Sequence, residues 1–177
     1  MPPAPPLEPE QAAVVRDLAL RNLDAEHPVT RRVLDAIPLD KGEYRPDAVA
    51  KSALDLAWHI VSAEHRFMDA VVTGGFDSSN TGRPGPMTTT AAISQWYAGV
   101  FAKDLASVAA LPADRLAQPV DFRGIITLPA VMLLMIGLKH SIHHRGQLSM
   151  YLRPMGAKVP SIYGESYDTA RARQEPA

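Results

Sequence analysis

Apolar positions recur at three- and four-residue intervals along four stretches of this chain, and each stretch reads as an amphipathic helix. Residues 9–37 form the first, with Val14, Leu18, Leu23, Val33 and Leu34 on its apolar face. His27-Pro28 falls inside it, and the residue before a proline is pushed away from helical angles, so a kink or short break is expected there with His27 at the surface. Residues 47–73 form the second, capped by Asp47, with Ala48, Leu56, Ile60, Ala63, Phe67 and Val71 inward and His59 within that face. The third runs to residue 110, capped by one of Thr88, Thr89 and Thr90, with Ile93, Tyr97, Val100, Phe101, Leu105 and Val108 inward. The fourth covers residues 127–153, with Thr127 as N-cap, Pro129 in the first turn, and Leu133, Ile136, Leu148 and Tyr151 on one stripe.

Between these stretches the pattern lapses. Residues 38–46 are a connection containing Gly42, and Gly74-Gly75 stops the second helix. The stretch that follows, GGFDSSNTGRPGPMTTT, has no periodicity and is long enough to be a crossover, a lid or a mobile segment. Residues 111–126 are a second connection, in which Asp121-Phe122-Arg123-Gly124 reads as a turn of a small hairpin. Four long helices, little strand signal and two long connections predict an all-α fold, a four-helix bundle with a long crossover. One domain over residues 1–177 is expected, with residues 1–8 a proline-rich flexible arm and residues 157–177 a polar tail.

Composition removes several function classes. Of the 177 residues, 46% are hydrophobic and 21% charged, ordinary for a soluble globular chain. The formal net charge of −1, without a long basic run, argues against nucleic acid or an anionic membrane as partner. There is no cysteine, which excludes disulfides, zinc–thiolate sites and a Cys nucleophile. The longest apolar run, residues 128–138, is too short to span a bilayer, and no secretory signal is legible, so a cytoplasmic location is expected.

The chemistry sits on the fourth stretch. His140 and His144 are four residues apart on its apolar stripe, which leaves their side chains about 40° apart and roughly 6 Å along the axis, within reach of one ion. The plainer reading is a pair of hydrogen-bonded core histidines. A third ligand decides between them, and His59 is the histidine outside this helix that lies in the apolar face of its own. Three imidazoles with a position left open are the pattern of a catalytic metal, and zinc, nickel or ferrous iron would all accept them. His65 lies about 240° round from His59 and His143 about 100° from His144, so neither shares the site's direction. Trp58 and Glu64 flank the face of the second helix and reach either the site or a partner subunit. Glu64, Asp121 and Tyr97 are the candidate general bases.

HSIHHRGQLSMYLRPMG, preceded by DLAWHIVSAEHRFMDAVVTGGF and RRVLDAIPLDKGEYRPD, resembles the DinB/YfiT-like superfamily of metal-binding four-helix bundles over residues 17–156. The H-x-x-x-H-R-G-Q core is the most specific part. The resemblance implies a metal triad on His59, His140 and His144, an up-down-down-up bundle and a homodimer. Relatives in that superfamily include thiol-dependent S-transferases, a mycothiol-dependent isomerase and proteins described as metal-dependent hydrolases. Arg145 and Gln147 belong to the same motif. By helical phase neither points at the metal, so Arg145 is expected to tie the helix to its neighbours and Gln147 to close a hydrogen bond inside the bundle. The expected function is a metal-dependent enzyme acting on a small-molecule substrate, a hydrolase or a transferase using a low-molecular-weight thiol cosubstrate. The alternative is a non-catalytic metal- or ligand-binding stress-response module. The large aromatics Trp58, Phe67, Trp96 and Tyr97 are expected to face a partner subunit or line a pocket, or else to pack beneath the loop over residues 74–86.

Overall fold

The computed structural model describes residues 6–79 and 81–174. The proline-rich arm falls for the most part outside these residues, as does the end of the polar tail. Helix α1 spans Pro9–Asp35 and opens with a reciprocal capping box: the Glu8 side chain accepts from the backbone of Gln11, and Gln11 Oε1 accepts from the Glu8 N–H at 3.1 Å. The break expected at His27-Pro28 does not occur, and the helix runs through Pro28. A proline there forfeits one backbone bond, but Leu23, Thr30, Val33 and Leu34 on either side are all buried and hold the turn in place. The buried face is also phased differently from expectation. Ala12 and Ala19 point inward, while Val14 and Leu18 are 69% and 53% exposed.

Helix α2 spans Ala53–Thr73 and starts five residues later than a cap at Asp47 implies, capped by Ser52, whose Oγ accepts from the Asp55 N–H at 3.2 Å. Asp47 instead turns its carboxylate onto the N–H groups of Val49 and Ala50 at 2.9 and 2.8 Å, which holds that segment in a turn and leaves Ala48 exposed. Gly74 ends the helix at φ 82°, donating to the Ala70 carbonyl at 2.9 Å. Helix α3 spans Thr90–Ala109 behind an N-cap at Thr89, whose hydroxyl accepts from the Ala92 N–H at 3.1 Å.

The second connection holds more structure than its sequence suggests: a short helix α4, Ala113–Ala117, then strands β1, Pro119–Phe122, and β2, Ile126–Pro129, paired antiparallel. Arg123 and Gly124 at the turn have φ 60° and 68°, and Asp121 Oδ2 accepts from the Gly124 N–H at 2.8 Å. Thr127 and Pro129 are therefore strand residues, not the start of the last bundle helix. Helix α5 spans Met132–Leu152, and its entry is set by the backbone, with Val131 N–H donating to the Leu116 carbonyl at 3.0 Å. A last helix, α6, Tyr167–Gln174, lies within the stretch read as a polar tail and is tied back through Asp168, which accepts from Val159 N–H and Arg153 Nη2.

Cross-helix contacts set the directions. Arg16 reaches the carbonyl of Leu111 and Arg31 the hydroxyl of Ser94, so α1 and α3 are antiparallel. Trp58 meets Trp96 and His65 meets Asp104, so α2 and α3 are parallel. Phe67 lies against Gly137 and His59 against His144, so α2 and α5 are antiparallel. The bundle of α1, α2, α3 and α5 is thus up-down-down-up. The pairs α2–α5, α2–α3, α1–α5 and α1–α3 are neighbours and antiparallel α1 and α2 lie across the diagonal, while parallel α2 and α3 require a long crossover back along the bundle. Among the described residues, no helix is long and apolar enough to cross a membrane.

Candidate metal centre

Because α2 and α5 pack antiparallel, the early turns of α2 face the later turns of α5, and His59 is brought onto His140 and His144. His59 Nε2 and His144 Nε2 are 3.2 Å apart, and the three ring centroids are separated by 4.3 to 4.8 Å. One ring nitrogen from each histidine lies within 4.8 Å of the other two. All three residues named from the sequence are brought to one point, each half-buried.

The electrostatics favour neutral rings. Burial, reinforced by the neighbouring His144, pushes His59 down to about 4. Burial together with His144 and His59 pushes His140 down to about 3. Burial also lowers His144, against the opposing pull of Gln147. A neutral imidazole has a free lone pair, the form in which it ligates metal. Gln147 Oε1 accepts from His144 Nδ1 at 2.6 Å, which places the proton on Nδ1 and leaves the lone pair on Nε2, the nitrogen facing His59. Gln147 therefore closes its hydrogen bond within the motif, on His144 itself. His140 Nδ1 is buried with no hydrogen-bond partner among the described residues. Three convergent neutral nitrogen donors, one held in orientation by an amide, fit a divalent cation.

Two hollows adjoin the cluster. One of about 290 Å³ is lined by His59 and His140, by Phe67 and Phe122, and by Phe76, Ser78 and Thr81 of the loop after α2. The other, of about 410 Å³, is lined by His144, Gln147 and Tyr151. The loop that lacked periodicity thus forms one wall of the first hollow.

The remaining sequence candidates serve elsewhere. Arg145 is 1% exposed; its Nη1 pairs with Glu26 Oε2 at 2.5 Å and donates to Thr30, while Nη2 donates to the Tyr163 hydroxyl at 2.6 Å. It ties α5 to α1 and to the C-terminal segment, as its helical phase implied. The three candidate general bases do not line the hollow against His59 and His140. Glu64 is buried and accepts from the Tyr97 hydroxyl at 2.5 Å; burial raises its pKa to about 6. Asp121 is occupied by the hairpin turn. His65 is half-buried rather than solvent-facing, its Nδ1 against Asp104 Oδ2 at 2.8 Å, while His143 is exposed. His27 is half-buried too, its ring stacked on Phe101 with centroids 4.0 Å apart. Trp58, Phe67 and Tyr97 are buried within this one chain, and Trp96 is half-buried against Trp58 at 4.7 Å, so the aromatic surplus needs no partner to cover it. The sequence reading passed over Gln147 as the partner of His144, although residues three apart on a helix are neighbours.

The fold and the cluster define a class: an up-down-down-up helical bundle with three imidazoles, compatible with a divalent metal, between its two antiparallel central helices. The chain belongs to the DinB family, whose family model matches residues 13–175. It is 25% identical over 130 residues to the uncharacterized protein YjoA of Bacillus subtilis (strain 168), covering 72% of this chain and 82% of that one. The crystal structure of YjoA, described as DinB-like, superposes with a TM-score of 0.66 at 22% identity, over 84% of this chain and 99% of that one. A DinB-like protein from Bacillus cereus superposes with a TM-score of 0.70 at 24% identity, over 82% of this chain and 95% of that one. At this identity both likenesses are of fold.

Proposed function

We propose that this chain is a metal-dependent enzyme acting on a small molecule, with one divalent metal held by His59, His140 and His144. The observation that carries the reading is three imidazoles meeting beside a hollow of about 290 Å³, where a ligand has room to enter. A structural site closes itself with four protein ligands, and no fourth His, Cys, Asp or Glu joins this cluster among the described residues. When bound, the metal supplies Lewis acidity to a water, a thiol or a substrate oxygen. The chain's own residues do the rest: Gln147 fixes the His144 tautomer, and Phe67, Phe76 and Phe122 make one side of the hollow beside His140 apolar. With no cysteine in the chain, a thiol-dependent S-transferase would take its sulfur from a low-molecular-weight cosubstrate, and a hydrolase would take water. Among the described residues, no carboxylate lines the hollow.

Elemental analysis of the purified protein tests this. About one divalent metal per chain is expected, lost in His59→Ala, His140→Ala and His144→Ala. Unchanged metal content in all three variants would overturn the site. Turnover screening of the loaded protein, with and without a low-molecular-weight thiol, then separates transferase from hydrolase. Absence of turnover with either would favour the non-catalytic binding module.

A further inference from the structure

The hollow beside the histidines has a charge character that metal binding alone does not use. Lys51, Arg66 and Arg123 all line it, and among the described residues no carboxylate does. They come from three separate places: the segment before α2, the middle of α2 and the β1–β2 turn. Among the described residues, none of the three side chains makes a hydrogen bond or an ion pair. Other cations of this chain do find carboxylates: Arg83 pairs with Asp55 and Glu43, Arg145 with Glu26, and Arg153 with Asp168.

Arg66 and Arg123 carry a cost in these positions. Arg66 is half-buried, and loss of water pulls its pKa down. Asp77 on the facing loop attracts it without reaching ion-pair distance, because that carboxylate is turned onto the Ser79 N–H at 2.7 Å. Arg123 has φ 60°, and no other non-glycine among the described residues has a positive φ. A long side chain in left-handed backbone costs about 1 kcal/mol, which turn chemistry alone would avoid by placing Gly or Asn there. The same hollow is apolar on another part of its surface. Phe67, Phe76 and Phe122 form a cluster with centroids 4.7 to 5.6 Å apart, and the Phe67 ring lies 5.8 Å from the His140 ring.

We infer that this hollow binds a small molecule carrying an anionic head, carboxylate or phosphate, on an apolar body. Lys51, Arg66 and Arg123 hold the head, and Phe67, Phe76 and Phe122 pack the body. Bidentate and charge-assisted bonds from guanidinium suit both kinds of anion, and an anion entering here replaces water around cations that make no hydrogen bond or ion pair among the described residues. The inference rests on the metal reading only for what happens next, since the ligand so placed lies beside His59 and His140.

Calorimetric titration of the purified full-length protein with phenylacetate, phenyl phosphate and the neutral phenylacetamide tests it, with and without prior chelation. Both anions are expected to bind roughly tenfold more tightly than the amide, since charge-assisted hydrogen bonds are about twice as strong as neutral ones. The margin should shrink as salt rises and vanish in a Lys51→Gln/Arg66→Gln/Arg123→Gln variant, while Arg66→Lys keeps part of it. Equal binding of amide and anions, or an unchanged margin in the triple variant, would overturn the inference. Should the triple variant fail to fold, Arg123→Gln in the exposed hairpin is read instead, and an undiminished margin there is equally fatal. Metal content measured alongside separates the two readings. Anion selectivity that survives chelation supports this inference whatever becomes of the metal, whereas a metal-loaded protein without anion selectivity keeps the metal reading and loses this one.

Discussion

Six histidines do different things in this chain, and their surroundings say which. His65 shares α2 with His59 but faces α3, where Asp104 accepts a hydrogen bond from its Nδ1–H and raises its pKa. His143 is exposed beside His144. Replacing either by Ala should leave the metal stoichiometry unchanged. Loss of metal in His65→Ala while His59→Ala retained it would show that the wrong side of α2 had been read. His27 is pushed down to about 4, chiefly by burial and then by Arg31. Its ordinary value is 6.5, so between these limits the unfolded chain takes up a proton that the folded chain refuses. Stability therefore falls as pH drops from 6.5 towards 4, and it is insensitive to His27 above that window. Urea unfolding at both ends of the window should show His27→Gln losing less stability than the unaltered protein. Equal losses would mean that His27 does not stay neutral in the folded state.

Among the elements, α2 is the one that organises the rest, packing on both α3 and α5. Its approach to α5 depends on Gly137. A Cβ at that position would lie 2.8 Å from Phe67 Cβ and 3.0 Å from its ring, closer than carbon atoms tolerate. Gly137→Ala should therefore destabilise the protein by about 1–3 kcal/mol, because overpacking a core interface outweighs the ~1 kcal/mol that Ala gains over Gly in a helix. Denaturant midpoints measure this, and a stabilised Gly137→Ala protein would show that the α2–α5 contact is loose. The displaced Phe67 ring borders both the hollow and His140, so the same substitution should also weaken metal retention.

At the scale of the whole molecule, the C-terminal segment and α1 meet on α5 through Arg145, with Glu26, Thr30 and Tyr163 around one guanidinium. That junction holds the outer helix and the chain end to the helix that carries two of the three histidines. The homodimer implied by the family resemblance does not need the large aromatics, which the single chain already covers. It would have to use other surface, and Val14 and Leu18, one turn apart on α1, are large exposed apolar residues of that helix. Light scattering over a wide concentration range is expected to give a dimer mass, reduced to a monomer mass by Leu18→Glu. A monomer mass at high concentration would remove the dimer.

What local physics governs was legible before any fold was known. The four bundle helices follow from apolar spacing, the all-α class from their number, and the triad from histidines placed on apolar faces, since helical phase fixes which side chains share a direction. Exact starts were less legible: Asp47 and Thr127 look like caps, but Asp47 is spent on a turn and Thr127 on a strand. The face of α1 was misjudged because Ala12 and Ala19, small enough for close packing, won the interior over the larger Val14 and Leu18. His27 at the surface was the natural reading beside a proline, and it is covered by the arrival of Tyr97 and Phe101 from α3. The grouping of Lys51, Arg66 and Arg123 left no trace in periodicity, because a loop, a helix and a hairpin tip separated along the chain meet only once α2 has packed on α5. Spacing along a helix decides direction, and only packing between elements decides which directions converge.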